Sequence, residues 1–138
     1  MAQLRHLALR CSDIQRSRNF YQKVFDWEFL GFRPSGRGLD LTDGVLNITL
    51  IDQDPTERSQ YEEGEEFIHF GVVVDDLDEV WRRLHELGVP FSKESVKERK
   101  PIDPTKPPPI SFKVLDPDGN IVDITANRSE WVGARVND

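Results

Sequence analysis

The chain has 138 residues, the size of one ordinary domain. Hydrophobic residues make up 37% and charged residues 31%, a balance typical of a globular chain and not of a disordered one. The net charge of −7 disfavours binding to nucleic-acid phosphates or to anionic membranes, and no apolar run approaches the roughly 20 residues that span a bilayer.

The single cysteine, Cys11, excludes an intrachain disulfide and a zinc site built from several cysteines. We expect it to fill a small space in the core. The first residues lack the basic start and the long apolar stretch of a secretory signal. We therefore expect a reducing compartment, most simply the cytoplasm.

The first part of the chain predicts a strand, a helix and three further strands. The first strand covers residues 4–10. Ser12 or Asp13 is suited to cap the helix, because both side chains accept hydrogen bonds from amides of a first turn. The apolar positions of the helix fall on one face and comprise Ile14, Phe20, Tyr21, Val24 and Phe25. The later strands are predicted at residues 27–32, 38–41 and 45–51, with an Asp-Gly turn at 43–44.

The second part of the chain predicts the same elements after an acidic linker at residues 53–66. Asp75 or Asp76 caps the second helix, and Gly88 stands where a left-handed helix end belongs. The strands are predicted at residues 67–74, 89–95, 109–115 and 121–125, with a turn at 116–120 before the last. Five of the nine prolines lie between residues 97 and 109, which predicts a long loop that acts as a lid or a wall of a site.

Two internal matches indicate that these parts are repeats. Residues 4–10 align with residues 67–73, which brings His6 onto His69. Residues 46–49 align with 122–125, which brings Asn47 onto Asp123. We therefore predict an α+β fold with two βαβββ modules in one domain over residues 1–138. The predicted boundaries are 1–52 for module 1, 67–127 for module 2 and 128–138 for a C-terminal tail.

The alternation of residues along the strands predicts that the candidate ligand-binding side chains lie on one face of the sheets. One face of each strand is apolar and suited to be covered by the helices. The other face carries small and polar groups, as a ligand cup on a curved sheet requires. It includes His6, Arg10, Asn47, Thr49, His69, Asp123 and Thr125. A single histidine in such a strand is most often an ordinary hydrogen-bonded residue. Two histidines at equivalent positions of the repeats make a role as ligands about as probable as that ordinary role.

The motifs that carry a family resemblance span residues 4–126. They are residues 4–9 leading into 13–14, then 19–21, 68–77 and the closing hairpin 112–124. Together they resemble the vicinal oxygen chelate superfamily, which includes glyoxalases, bleomycin-resistance proteins and extradiol dioxygenases. The resemblance implies a curved mixed-sheet cup of two βαβββ modules with helices on the outer face. In enzymatic members the cup holds a divalent metal that chelates two vicinal oxygens of the substrate.

Carried over by position, the resemblance implies His6, His69 and Asp123 as metal ligands, with Asn47 at the fourth position. Asn47 departs from the acidic or glutamine residue of the glyoxalase I type and cannot serve as its base. Asp123 is one methylene shorter than the usual glutamate. Two histidines and one carboxylate are the ligands of a 2-His-1-carboxylate facial triad, which leaves coordination positions open for substrate.

The resemblance therefore implies a lyase, isomerase or dioxygenase that uses Fe, Mn, Ni or Zn on a small molecule with vicinal oxygens. Arg10, Asn47, Thr49 and Thr125 are the predicted substrate-binding residues, and no catalytic base is assigned. The alternative is a metal-free protein of the bleomycin-resistance type that binds a drug or a metabolite. A second copy of the chain is the expected partner, with Trp131 in the tail as a candidate contact or pocket cap.

Overall fold

The computed structural model describes residues 4–53, 69–91, 105–106, 110–132 and 134–136. The chain divides into two compact units, Met1–Gln60 (unit 1) and Tyr61–Asp138 (unit 2). The elements, in chain order, are β1 (His6–Cys11), α1 (Ile14–Phe25), β2 (Glu28–Phe32), β3 (Gly38–Thr42), β4 (Asn47–Asp52), β5 (Phe70–Val73), α2 (Leu77–Glu86), β6 (Ser111–Leu115) and β7 (Ile121–Thr125). The predicted α+β class is confirmed. None of the described helices has the length and apolar character needed to cross a membrane.

Unit 1 is a four-stranded sheet with α1 against its apolar face. The strand order is β1-β4-β3-β2, and β1 runs parallel to β4 while the other neighbours are antiparallel. The core of this unit contains apolar side chains from one face of the sheet and from the facing side of α1. They are Leu9, Leu39, Leu41, Ile48 and Leu50 of the strands and Phe20, Tyr21 and Val24 of the helix. Cys11 is also buried, as expected for a core residue. Burial of this face leaves the opposite face of the sheet for polar groups.

The ends of α1 follow from local hydrogen bonding. Of the two candidate caps, Asp13 is the one used, since its carboxylate accepts hydrogen bonds from the amides of Gln15 and Arg16. The helix ends at Asp26, which adopts a left-handed backbone with φ of 59°. This conformation turns the chain into β2 and places Trp27 in a stacked contact with Tyr21, with 4.9 Å between ring centroids.

The last strand of unit 1 is shorter than predicted. The sequence pattern predicts that it opens at residue 45, whereas β4 begins at Asn47. The carboxylate of Asp43 accepts hydrogen bonds from the amides of Val45 and Leu46, which holds both residues in the turn after β3. Gly44 within this turn has a φ of 95°, a conformation that glycine adopts without strain.

Unit 2 has a three-stranded sheet of order β5-β7-β6. Asp76 is the cap of α2, and Gly88 has the left-handed φ of 65° predicted for the helix end. The predicted turn at 116–120 is confirmed, because Asp116 accepts hydrogen bonds from the amides of Asp118 and Asn120. The strand expected at 89–95 is represented by one bridge between Phe91 and Val114. Residues 92–104 and 107–109 lie outside the described residues, and so does most of the predicted proline-rich loop.

Trp131, in the C-terminal tail, packs onto the sheet of unit 2. Gly71 in β5 faces the indole directly, and a Cβ built there would overlap with Cζ2 and Cη2 of Trp131. Gly71 does not adopt a positive φ, so space rather than backbone conformation requires glycine at this position. The indole therefore lies on the same face of the sheet as the side chain of Asp123, the register partner of Gly71.

We expect Gly71→Ala to destabilise the protein by about 1–3 kcal/mol, because the added methyl group forces the indole from its place. In a Trp131→Ala background the same substitution is expected to cost much less, since the overlapping ring is gone. Urea unfolding of the four proteins in this double-mutant cycle measures both effects. An equal cost of Gly71→Ala in the two backgrounds would contradict the packing of Trp131 on Gly71.

The exposed face of α2 provides a pH-dependent prediction. Hydrogen bonds from Arg82 and Arg83 lower the pKa of Glu79 from 4.5 to about 2. Since the pKa is lower in the folded chain, these contacts stabilise the fold above pH 4.5, and the stabilisation is lost as the pH falls towards 2. Glu79→Gln should therefore lower Tm slightly at pH 7 and progressively less in acid. Asp78→Asn, also in the first turn of α2, is the matched control. An equal pH dependence of the two variants would contradict the assignment.

Candidate functional site

One face of the unit 1 sheet carries polar side chains from three adjacent strands. His6 of β1 lies opposite Asn47 of β4, and Asp40 of β3 lies opposite Thr49 of β4. Alternate residues of a strand point to opposite faces, so these four side chains share the face that α1 does not cover. We call His6, Asp40, Asn47 and Thr49 the polar face of unit 1.

Asp40 is the centre of the hydrogen bonding on this face. Its Oδ1 accepts from Nε and Nη2 of Arg33 at 3.1 and 2.9 Å, from Nδ2 of Asn47 at 3.1 Å and from Oγ1 of Thr49 at 2.7 Å. Burial by itself would raise the pKa of Asp40. The hydrogen bonds from Thr49, Arg33 and Asn47, with the charge of Arg33, outweigh burial and hold the pKa below its usual value. Asp40 is therefore an ionised group that accepts and does not donate.

The acceptor character of Asp40 determines the tautomer of His6. Because a carboxylate only accepts hydrogen bonds, Asn47 must direct its Nδ2 amino group towards Asp40. The Oδ1 atom of Asn47 therefore faces away from Asp40. That Oδ1 lies 2.6 Å from Nδ1 of His6. Since an amide oxygen also only accepts, Nδ1 carries the proton of the neutral ring, and Nε2 keeps the lone pair that a metal or a substrate proton requires.

A pocket of about 410 Å³ opens beside this polar face. Its wall is built from β1, from the end of the β2–β3 hairpin and from the C-terminal part of β4. The lining residues are His6, Arg33, Ser35, Arg37, Gly38, Thr49, Ile51, Asp52 and Gln53. The volume is within the range of about 300–1,000 Å³ that holds small molecules. The pocket places His6 and the two arginines around one cavity.

In unit 2 the predicted ligands His69 and Asp123 are neighbours. His69 Nε2 lies 3.5 Å from Asp123 Oδ2, and both side chains are mostly buried, with 27% and 19% of their surface exposed. The separation is longer than the 2.7–3.2 Å of an ordinary hydrogen bond of this type. Trp131 covers the same face of the sheet at Gly71.

The register of unit 2 differs from that of unit 1. In unit 1, His6 stands directly opposite Asn47. In unit 2, Asp123 stands opposite Gly71, so His69 lies two positions away, on a diagonal. A shift of two residues keeps both side chains on the same face but moves them apart. This accounts for a hydrogen bond at the first position and a wider gap at the second.

The remaining predicted site residues lie in different environments. Arg10 is exposed and makes no side-chain hydrogen bond or ion pair within the described part of the chain. Thr49 is buried, lines the pocket and bonds to Asp40 and Arg33. Thr125 is fully buried, and its hydroxyl accepts from the amide of Asn127. Substrate binding by these three residues stays a prediction.

Sequence reasoning missed Asp40, Arg33 and Arg37. The alternation of residues 38–41 contained a usable signal, since Asp40 stands between Leu39 and Leu41 and must face away from the core. Two arginines around a Pro-Ser-Gly turn at residues 33–37 were a second signal. Neither pattern showed that the residues meet His6 around one pocket.

The donor types fit a divalent transition metal. Imidazole and carboxylate are ligands of Fe, Mn, Ni and Zn. Two such ligands at about 2.1 Å from one ion lie about 3.0–3.4 Å apart, close to the separation of His69 Nε2 and Asp123 Oδ2. Within each unit, the described residues contain no group of three His, Cys, Asp or Glu side chains that could hold a metal ion. The ligand set His6, His69 and Asp123 stays a prediction.

Known proteins resemble this chain in sequence and in fold. The probable trivalent organoarsenical cleaving enzyme of Bacillus subtilis (strain 168) is 30% identical over 117 residues, which are 83% of this chain and 73% of that protein. The fosfomycin resistance protein FosX of Mesorhizobium loti is 16% identical, with a TM-score of 0.66 over 91% of this chain and 92% of that one. A FosX variant of Listeria monocytogenes, solved with Mn(II) and 1S,2S-dihydroxypropylphosphonic acid, is 21% identical, with a TM-score of 0.64 over 91% and 90%.

A model of the Glyoxalase/Bleomycin resistance protein/Dioxygenase superfamily matches residues 3–124. The matched segment includes every strand and both helices described above, apart from the final residue of β7. It also contains the polar face of unit 1 and the His69–Asp123 pair. The chain therefore belongs to the glyoxalase, bleomycin resistance protein and dioxygenase superfamily, as its motifs indicate.

Proposed function

We propose that the protein is a divalent-metal-dependent enzyme acting on a small molecule with vicinal oxygens, with His6, His69 and Asp123 as the metal ligands. The observation that carries the proposal is the 2.6 Å hydrogen bond between His6 Nδ1 and Asn47 Oδ1. Because the amide oxygen accepts, the ring proton is held on Nδ1, and Nε2 is left as a lone-pair donor. Metal-binding histidines ordinarily have their second nitrogen held in this way by a neighbouring acceptor.

The residues of the polar face have separate roles in this proposal. When bound, the metal supplies Lewis-acid polarisation of substrate oxygens. Asn47 orients His6 and takes no proton, because an amide is not a base at neutral pH. Asp40 is a weak base, since its lowered pKa reflects hydrogen bonds that require its charge. Proton abstraction by either residue is therefore disfavoured, and we favour addition to substrate or oxygenation over isomerisation.

The relatives support metal use more strongly than they support any particular substrate. The FosX variant binds Mn(II), which agrees with the donor types here. Trivalent arsenic prefers soft thiolate ligands. The only cysteine of this chain, Cys11, is 1% exposed within the core. We therefore do not extend the organoarsenical substrate of the Bacillus subtilis relative to this protein.

A second candidate function is metal-free binding of a small molecule. It is favoured by the neutral Asn47 and by the pocket of about 410 Å³, which unit 1 forms from its own residues. In this case His6 would be a hydrogen-bonding group for the ligand. A homodimer in the cytoplasm remains our expectation for either function.

One prediction of this proposal concerns metal content. Elemental mass spectrometry after anaerobic incubation with Fe(II), Mn(II), Ni(II) or Zn(II) should find one metal per chain, and metal should raise Tm. His6→Ala and His69→Ala should each abolish the Tm rise, since each removes a ligand. His85→Ala changes a histidine of α2 outside the proposed ligand set, so this matched control should keep the Tm rise. Metal-free protein with an unchanged Tm would contradict the enzyme proposal and favour the binding protein.

Another prediction of this proposal concerns the hydrogen bonds that orient His6. Asp40→Asn replaces an obligate acceptor by an amide that also donates, so the orientation of Asn47 and the tautomer of His6 are no longer determined. We expect metal affinity to fall about 10–100-fold, and the His6 ring to show mixed tautomers in ¹⁵N NMR spectra. Asp43→Asn makes the same change of charge in the β3–β4 turn and should leave both unchanged. A single Nδ1–H tautomer in Asp40→Asn would overturn this account.

A further inference from the structure

The end of the β2–β3 hairpin presents two arginines to the pocket. The amide of Arg33 donates to the carbonyl of Gly38 at 2.8 Å, and the amide of Gly36 donates to the carbonyl of Arg33 at 2.9 Å. Gly36 has a left-handed φ of 73°, which closes the turn. Arg33 and Arg37 therefore lie on the two sides of a tight loop, and both line the cavity.

Arg33 is held in place by part of its guanidinium group only. Its Nε and Nη2 bond to Asp40, and Nη2 also lies 2.8 Å from Oγ1 of Thr49. Its aliphatic stem crosses Gly38, where a Cβ would lie 3.4 Å from Arg33 Cγ. Within the described part of the chain, Nη1 has no hydrogen-bond partner. Arg33 thus offers two fixed N–H donors to a ligand.

Arg37 contributes a second positive charge to the pocket. Its guanidinium makes no hydrogen bond or ion pair to any residue that the structure describes. The Ser35 hydroxyl accepts from the backbone amide of Arg37 at 3.2 Å, which leaves its own proton for a ligand. Asp52 also lines the pocket, but strand alternation directs its side chain to the opposite face from Thr49 and Ile51.

We infer that Arg33, Ser35 and Arg37 bind the anionic group of the substrate, so the substrate class is a small organic oxyanion. A guanidinium pair matches the planar oxygens of a carboxylate and the oxygens of a phosphate or phosphonate. His6 lines the same cavity, so an anion held at the hairpin end places the rest of the molecule along the polar face. The inference rests on the proposed function in that it names the substrate class of the same site.

The test is a calorimetric titration of metal-free, EDTA-treated full-length protein at constant ionic strength. The probes are phenylphosphonate, benzoate and the neutral benzyl alcohol, which are similar in size. At least one of the two anions should bind, and more tightly than the alcohol, and the stronger anion identifies the group. Arg37→Gln should weaken anion binding about tenfold, as expected for the loss of a charged hydrogen bond, without affecting the alcohol. Arg135→Gln, an exposed arginine of the tail, is the charge-matched control.

Equal binding of anions and alcohol, no saturable binding of either anion, or unchanged anion binding in Arg37→Gln would each overturn the inference. A loss in Arg135→Gln equal to that in Arg37→Gln would overturn it too, because general charge would then explain the binding. Since the protein is metal-free, these outcomes do not depend on metal binding. The experiments can therefore contradict the proposed anion site without contradicting the proposed metal site, and the reverse.

Discussion

Much of the proposed site depends on one carboxylate that can accept hydrogen bonds but cannot donate them. Asp40 Oδ1 receives Arg33, Asn47 and Thr49 at once. Its acceptor character orients the amide of Asn47, and that amide in turn determines which nitrogen of His6 is protonated. The same carboxylate holds Arg33 against the sheet, so the anion-binding side of the pocket and the orientation of His6 have a common origin. Such a network is valuable only when every member is satisfied, because a buried group without a partner is costly.

The two units use one plan with different local chemistry. Each pairs its first strand in parallel with its last, and each places a histidine near the start of the first strand. In unit 1 the partner is a neutral amide at hydrogen-bond distance. In unit 2 it is a carboxylate on a diagonal, 3.5 Å from the ring. A neutral acceptor orients an imidazole, whereas a carboxylate beside an imidazole also supplies charge for a cation. The equivalent positions of the two units therefore differ in charge and in the distance between the two side chains.

Membership of the superfamily leaves the reaction open, because one fold supports many sites. The residues of this chain narrow the choice. Asn47 is an amide and cannot act as a base, the buried Cys11 provides no thiolate for a soft metalloid, and Arg37 places a positive charge at the pocket. Together these features favour a hard, oxygen-rich, anionic substrate. They are properties of individual side chains on the fold and do not follow from the fold itself.

Local sequence patterns predict most of the helices and strands and the faces that they bury. The helix caps, the turn at 116–120, the burial of Cys11 and the shared face of His6 and Asn47 follow from local hydrogen bonding and from the period of a strand. Contacts that depend on strand register could not be predicted from the sequence. A bulge between Phe29 and Gly31 interrupts the period of β2, so counting residues cannot tell which way Arg33 projects. The shift of two residues in unit 2 leaves each side chain on the same face of the sheet, so the alternation of apolar and polar residues cannot reveal it. The contacts of Asp40 with Arg33 and Asn47, and of Trp131 with Gly71, become visible only in the folded chain. These distances are set by strand pairing and loop closure and not by the residues next in the chain.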